Sequence, residues 1–305
     1  MLMSMGELHT LGLGRNQLTS IPPNLGKMIE LRELDLFMNK LRILTLSEPV
    51  PKLHSLLLRA NRIAELSDSL LNLSALTYLD VSNNKIESLL PLAQLPCLKK
   101  LECSSCKIIN LNVFSMRDSP LCQSISVLNV SCNRQITSVV DLQTPNLTEM
   151  RAMNCSIDRV ASKLTMCTKL KVLDLDGNPL RHVSLESPKL EVLAICGSKL
   201  HQFPVLDAGN LIEIASANTQ LRRMPERADA ATVNLRRLYL QRNNIAEIGS
   251  SYLESLTVSE PPFDSYSFLL FFELFEKTTI ISVFKSFLFV STAFGTSRDS
   301  VFRTV

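Results

Sequence analysis

The sequence predicts an α/β solenoid, curved, with a parallel β-sheet on the concave face and short irregular or helical returns on the convex face. Three observations predict it. An apolar pattern, L-x-x-L-x-L-x-x-N-x-L, recurs eleven times between Leu8 and Ile248 of the 305 residues. Successive units start 20 to 24 residues apart, except for one step of 27 from Leu98 to Ile125. A polar residue, most often Asn, returns at position nine of nearly every unit.

Each element follows from that spacing. The clearest unit runs Leu76, Leu79, Val81, Asn84, Ile86. Positions four and six point one way and their neighbours the other, which is strand alternation. A further apolar column at position eleven includes Leu18, Leu41, Ile63, Ile86 and Ile108. No single unit can bury these groups, but a stack buries them as one core. At position nine the chain turns while its backbone stays buried, and an unpaired buried N–H or C=O is costly. An inward Asn donates and accepts, so a ladder of Asn side chains is expected. Cys106, Cys155, Ser198 and Thr219 replace it in four units. Repeats nine and ten are therefore expected to be looser. The short units leave little room for full helices, so short helices, 3₁₀ turns or extended segments are expected on the convex side. Motifs such as Ile21-Pro22 and Met224-Pro225 begin those returns. Around the long step, a bulge after Asn133 and an exposed loop near Met116 to Cys122 are expected.

The pattern resembles the leucine-rich repeat family over about four fifths of the chain, residues 1–248. Within it, SANTQLRRMP from Ser216 followed by NLRRLYLQRNNI from Asn234 looks like part of the repeat region of PHLPP-type phosphatases. The match departs in register, because Asn218 falls one place before the ladder position. This second resemblance implies a metal-dependent serine/threonine phosphatase domain elsewhere in a larger protein. No Asp-Gly metal motif of such a domain is present, so no catalytic residue is carried over.

Composition narrows the function classes. The apolar fraction of 46% suffices for a continuous core, and 32 basic against 29 acidic residues leave a net charge of +3. That balance gives no reason to expect a nucleic-acid partner. The eight cysteines avoid the first and last repeats, where secreted relatives of this family carry cysteine-rich caps. The start MLMSMGELHT lacks a basic region and a long apolar run, so it does not read as a signal peptide. Reduced thiols in a cytoplasmic or nuclear setting are expected. The sequons at Asn72, Asn129, Asn146 and Asn154 are read as ordinary repeat polar residues on the same argument.

Both ends depart from the pattern. Leu2 and Met5 look like the tail of an earlier unit, so the amino end is expected to be truncated. Residues 249–305 hold ten of the thirteen phenylalanines and no alignable repeat. The preferred reading of this tail is translated intron sequence, starting near Val258-Ser259. A helical cap and a membrane anchor stay open; the stretch 267–295 is marginal for a span because it carries Glu273, Glu276, Lys277 and Lys285.

No catalytic constellation, cofactor site or metal site emerges. Cys103-x-x-Cys106 occupies an inward and a ladder position and lacks a second pair. Asp174-x-Asp176-Gly177 lacks the other ligands of a calcium loop. Gly12-x-Gly14 lacks the third glycine of a dinucleotide site. The four histidines lie in different units. Function is therefore expected on the outward positions three, five and seven, as a non-catalytic surface for a protein partner. Phe37, Leu57 and Tyr78, with Arg59, form an apolar and aromatic patch rimmed by Glu33, Asp35, Asp80 and Glu102, the anatomy of a binding hot spot. Exposed single apolar residues are ordinary, which is the plainer explanation. A second candidate is the basic aromatic group Arg237, Tyr239 and Arg242, with Arg222 and Arg223 one unit earlier, suited to an acidic peptide or phosphate.

Overall fold

The computed structural model describes residues 7–21, 25–139, 142–162, 164, 166–223 and 234–246. Each of the eleven units contributes one three-residue strand, from Thr10–Gly12 to Arg237–Tyr239. The strands form a single eleven-stranded parallel sheet in chain order. The register is unbroken: position four pairs with position four throughout, as in Leu11↔Leu34, Leu56↔Leu79 and Leu193↔Ile214. Stacking identical positions aligns the inward leucines into columns. Leu34, Leu56, Leu79, Leu101, Leu128, Met150, Leu173, Leu193 and Ile214 are all buried. Each such side chain contributes about 1.5–3 kcal/mol relative to exposure. The sheet lines the concave side of the solenoid.

The returns on the other side change along the chain. Units one, three, four and five use 3₁₀ segments: Leu25–Lys27, Asp68–Asn72, Leu90–Leu92 and Asn112–Ser115. Ser67 starts the second of these by accepting a hydrogen bond from the Ser69 N–H. Units eight and nine are the shortest, at 20 and 21 residues, and use extended returns, Ser184–Glu186 paired in parallel with Val205–Asp207. An extended segment rises about 3.3 Å per residue against about 2.0 Å for a 3₁₀ turn, so it covers the same path with fewer residues.

The stretch from Met116 to Cys122 differs from the expected exposed loop. Met116, Arg117 and Asp118 are exposed, but Ser119, Leu121 and Cys122 are buried. A short α-helix, Pro120–Ser124, starts there with Pro at its first position. Ser119 Oγ donates to the Ala93 carbonyl at 2.6 Å and Cys122 Sγ to that of Val113 at 3.3 Å. The extra residues of the longest unit thus dock on the core next to Phe114, which is fully buried.

The Asn ladder is present, with one geometry. Asn39 Nδ2 donates to the carbonyls of Leu13 and Leu36, and its Oδ1 accepts from the Leu18 N–H at 2.9 Å. Asn61, Asn84, Asn133, Asn178 and Asn243 repeat this: two position-six carbonyls, one of them in the preceding unit, and that unit's position-eleven N–H. Cys106 and Cys155 supply only a thiol donor, to Val81 and Val130. Ser198 Oγ and Ser216 Oγ are buried with no partner. Just before the ladder residue, position eight adopts a left-handed backbone in all eleven units, with φ between 51° and 70°. Only Gly177 and Gly197 are glycines there; Asn83, Asn154 and Asn218 are the next most tolerant type. Asn218 is thus a turn residue, which accounts for its offset from the ladder.

The proposed boundary at 248, the tail 249–305 with its stretch 267–295, Met224-Pro225 and Pro22 lie outside the described residues. Among the described residues no helix is long and apolar enough to cross a membrane.

Two substitutions test the ladder. Asn133→Ala removes two donors and one acceptor from a site with 0% exposure. It is expected to lower unfolding free energy by about 2–3 kcal/mol, while exposed Asn16→Ala costs under about 0.5 kcal/mol. Denaturant unfolding measures both. Ser198→Asn restores the missing amide and is expected to add about 1 kcal/mol; a lower midpoint would show that the space at Ser198 does not admit it.

Candidate functional site

The face available to a partner is set by the strand register, which aligns positions three, five and seven across the units. Phe37, Leu57 and Tyr78 take positions seven, five and three of adjacent units. They run diagonally across the sheet and each is partly buried. Their neighbours refine the expected patch. Phe37 lies so close over Gly14 that a Cβ there would sit 2.2 Å from Phe37 Cε1, and the Arg15 guanidinium is 5.5 Å from the ring centre. The Lys100 ammonium is 5.0 Å from the Tyr78 ring centre and 3.2 Å from Glu102 Oε1. Burial, with the Asp80 carboxylate second, pushes the Tyr78 hydroxyl pKa up. Both rings therefore lie beside cations. Arg59 is exposed and pairs with no carboxylate among the described residues.

Two of the four rim carboxylates also have a structural task. Asp35 Oδ1 accepts the Phe37 N–H at 2.9 Å and Asp80 Oδ1 the Ser82 N–H at 2.9 Å. Asp174 does the same for Asp176 at 3.1 Å, and Asn129 for Ser131 at 3.0 Å. These position-five side chains close the strand end with a local turn. Glu102 accepts from Asn129 Nδ2 at 2.8 Å.

The second candidate group is only partly brought together. Arg237 and Tyr239 alternate on the last described strand and share its outer face. Arg237 Nε lies 2.6 Å from Glu213 Oε2, so its charge is paired within the face. Tyr239 is 39% exposed. Arg242 sits at the left-handed position eight, beyond the strand and off the three face columns. Arg222 and Arg223 follow the core residue Leu221 and lie outside the sheet.

Between these groups lies a floor of small, partly exposed residues: Val172, Val192, Ala194, Cys196, Ala215 and Ala217. Asp174 and Asp176 border it, and Asp176 Oδ1 accepts the Cys196 N–H at 2.6 Å. Counted over all three columns, the carboxylates are Glu33, Asp35, Asp80, Glu102, Glu149, Asp174, Asp176 and Glu213. The cations are Arg59, Lys100, Arg151 and Arg237. The aligned positions three, five and seven of the sequence already contain this sign.

Reactive chemistry finds little foothold. All eight cysteines are free. Burial raises the Cys106 and Cys196 pKa values to about 11 and pushes Cys103 well above its ordinary value. Such thiols stay protonated at neutral pH and are poor nucleophiles. Cys103 Sγ donates to the Asn129 carbonyl. Among the described residues no three metal-ligating side chains gather.

Burial is the first cause that raises the Asp174 carboxyl pKa, with the Asp176 N–H opposing it. A carboxyl whose folded pKa lies above its unfolded one destabilises the fold at high pH and ceases to do so as pH falls through that value. Asp174→Asn keeps the acceptor and loses the charge. It is expected to raise the denaturation midpoint at pH 7, with the gain disappearing below the usual carboxylate range. A gain that persists at pH 3 would point to packing instead.

Residues 51–108 match the model of the leucine rich repeat family. No curated protein matches the chain by sequence. Among solved structures, a leucine-rich repeat protein of Leptospira interrogans is similar at 19% identity and TM-score 0.53, over 91% of this chain and 85% of that one. The leucine-rich repeat domain of APL1 is similar at 20% identity and TM-score 0.60, over 83% and 73%. The plant peptide hormone receptor RGFR1, solved in complex with RGF2, is similar at 20% identity and TM-score 0.54, over 79% and 45%. None of these bears on the phosphatase resemblance. The fold is that of a leucine-rich repeat solenoid, and the match over residues 51–108 supports membership of the leucine-rich repeat family.

Proposed function

We propose that this chain is a non-catalytic protein-protein interaction module that holds its partner on the concave sheet. The observation that carries this is the diagonal of Phe37, Leu57 and Tyr78, with Arg59 beside it, on a face whose unbroken register aligns the outward positions. Partly buried aromatic residues, with an Arg beside them, are the types that dominate binding energy. The same fold carries the plant peptide hormone receptor RGFR1, solved in complex with RGF2. Arg237 and Tyr239 extend the contact, and Arg242 flanks it. The setting is a reducing one: the thiols of Cys103, Cys106, Cys122 and Cys155 each donate to a backbone carbonyl, a role that oxidation would remove.

A second reading makes the array the targeting region of a larger PHLPP-like phosphatase. Its support is the sequence from Ser216 to Ile245, and a full-length transcript without a phosphatase domain would dismiss it.

Phe37→Ala with Tyr78→Ala is expected to abolish capture of the main partner, since each truncated anchor costs about 2 kcal/mol or more. Pull-down with the full chain, alongside circular dichroism, measures this. Gly14→Ala displaces the Phe37 ring without deleting it and is expected to weaken capture while leaving the unfolding midpoint nearly unchanged. Undiminished capture by the double variant would remove the diagonal from consideration.

A further inference from the structure

The whole chain carries a net charge of +3, yet its concave face is acidic. Eight carboxylates stand against four cations on the three face columns, a net of −4. Three of those cations are already neutralised in place. Lys100 pairs with Glu102 at 3.2 Å, Arg151 with Glu149 at 2.5 Å and Arg237 with Glu213 at 2.6 Å. Glu33, Asp35, Asp80, Asp174 and Asp176 remain without an ion-pair partner among the described residues.

These five fall in two places. Glu33, Asp35 and Asp80 surround the aromatic diagonal in units two to four. Asp174 and Asp176 border the floor of small residues in units eight to ten. Six strand spacings separate unit two from unit eight, about 29 Å at about 4.8 Å each. An extended segment of about nine residues spans that distance. Both aromatic rings already have the chain's own cations at 5.0–5.5 Å, so the unpaired carboxylates, and not the rings, are the places left for a partner's positive charge. Burial raises the pKa of both Asp174 and Asp176, and an arriving cation offsets that penalty.

We propose that the concave face takes a basic, extended polypeptide segment of the partner, with Lys or Arg side chains set against Asp174 and Asp176 at one end and against Glu33, Asp35 and Asp80 at the other. This rests on the concave-face binding proposed above and names the chemistry of the occupant. The floor of small side chains beside Asp174 and Asp176 lets a backbone approach closely at that end. Acidic peptides and nucleic acids meet repulsion there.

The test uses the full chain and fluorescent dodecapeptides. One alternates Lys with Ser, so that its lysines project from one face when extended, and the other alternates Glu with Ser. Anisotropy is expected to show binding of the Lys peptide alone, weakening as salt rises from 50 to 300 mM. Combining Asp80→Asn, Asp174→Asn and Asp176→Asn is expected to weaken it by about tenfold or more. Asn keeps the strand-end acceptor, as Asn129 does for Ser131, so circular dichroism should match the parent. Glu65→Gln, Glu87→Gln and Asp118→Asn together make the same charge change off the sheet and are expected to leave the affinity within about twofold. An equal loss in that control, no binding of the Lys peptide, or equal binding of the Glu peptide overturns the proposal. Any of these, with capture still lost in the Phe37→Ala, Tyr78→Ala protein, removes the basic occupant and leaves concave-face binding standing.

Discussion

The units of this chain turn at positions eight and nine with buried backbone groups that their own residues cannot all satisfy, and in six of them one Asn side chain resolves the problem across two units. Asn178 shows the arrangement. Its Nδ2 reaches the Ala152 carbonyl in the preceding unit and the Leu175 carbonyl in its own, while its Oδ1 takes the Ile157 N–H. The bonds are local to a pair of neighbours, so order propagates from unit to unit and not through one central nucleus. The strands pair in identical register throughout, including the units where Cys, Ser or Thr replaces the ladder Asn. That register in turn builds the leucine columns on one side of the sheet and the functional columns on the other.

The left-handed residue at position eight is the ladder's companion. It redirects the chain directly after position seven, so each strand ends with its last outward side chain at the edge of the turn. For ordinary residues such as Met38 or Arg15 this conformation costs about 1–2 kcal/mol. The cost is tolerated because hydrogen bonds on both sides fix the turn: the Met38 N–H reaches the Arg59 carbonyl at 2.9 Å, and Asn39 follows with its three partners. Position-five Asp and Asn side chains add a further brace at the same strand end. A carboxylate such as Asp35 thus serves the fold and the surface together, which explains how the face can carry so much negative charge without losing its shape.

The core was legible in the sequence because hydrophobic periodicity reports burial directly, and the Asn column because its chemistry has a single use at that spacing. Position eight was not legible in the same way. Backbone handedness leaves no trace in hydropathy, and Arg15, Met38, Ala60 and Cys132 are not turn formers by type. The five Asn and Gly residues at that position were the available signal. The buried helix at Pro120–Ser124 escaped notice because irregular length suggests a loop, whereas here Leu121 and Cys122 fill space beside Phe114. For the candidate surface, the diagonal of Phe37, Leu57 and Tyr78 followed from unit alignment alone. Pairing of Arg237 with Glu213 did not, although the two occupy the same position of successive units and face each other in the register.

That last pairing bears on what kind of surface this is. In a parallel in-register stack, each outward residue faces the same position in the units on either side and the next outward position of its own strand, so charges pair both along a column, as Arg237 with Glu213, and within a unit, as Lys100 with Glu102 and Arg151 with Glu149. Position three places Glu213 beside Arg237, and that pair neutralises itself. Position five places Asp174 between Arg151 and Ala194, with Arg151 drawn instead to Glu149. Position seven places Asp176 beside Cys196. Five unpaired carboxylates stand against one unpaired cation, Arg59, so the unneutralised charge is negative, and at Asp174 and Asp176 it is held where neighbouring side chains are small and burial raises the carboxyl pKa values. A cation brought there by a partner meets less screening than at an open surface. Selectivity for that partner then resides in where the columns fail to balance, whereas the leucines and the ladder fix only the geometry in which that imbalance is displayed.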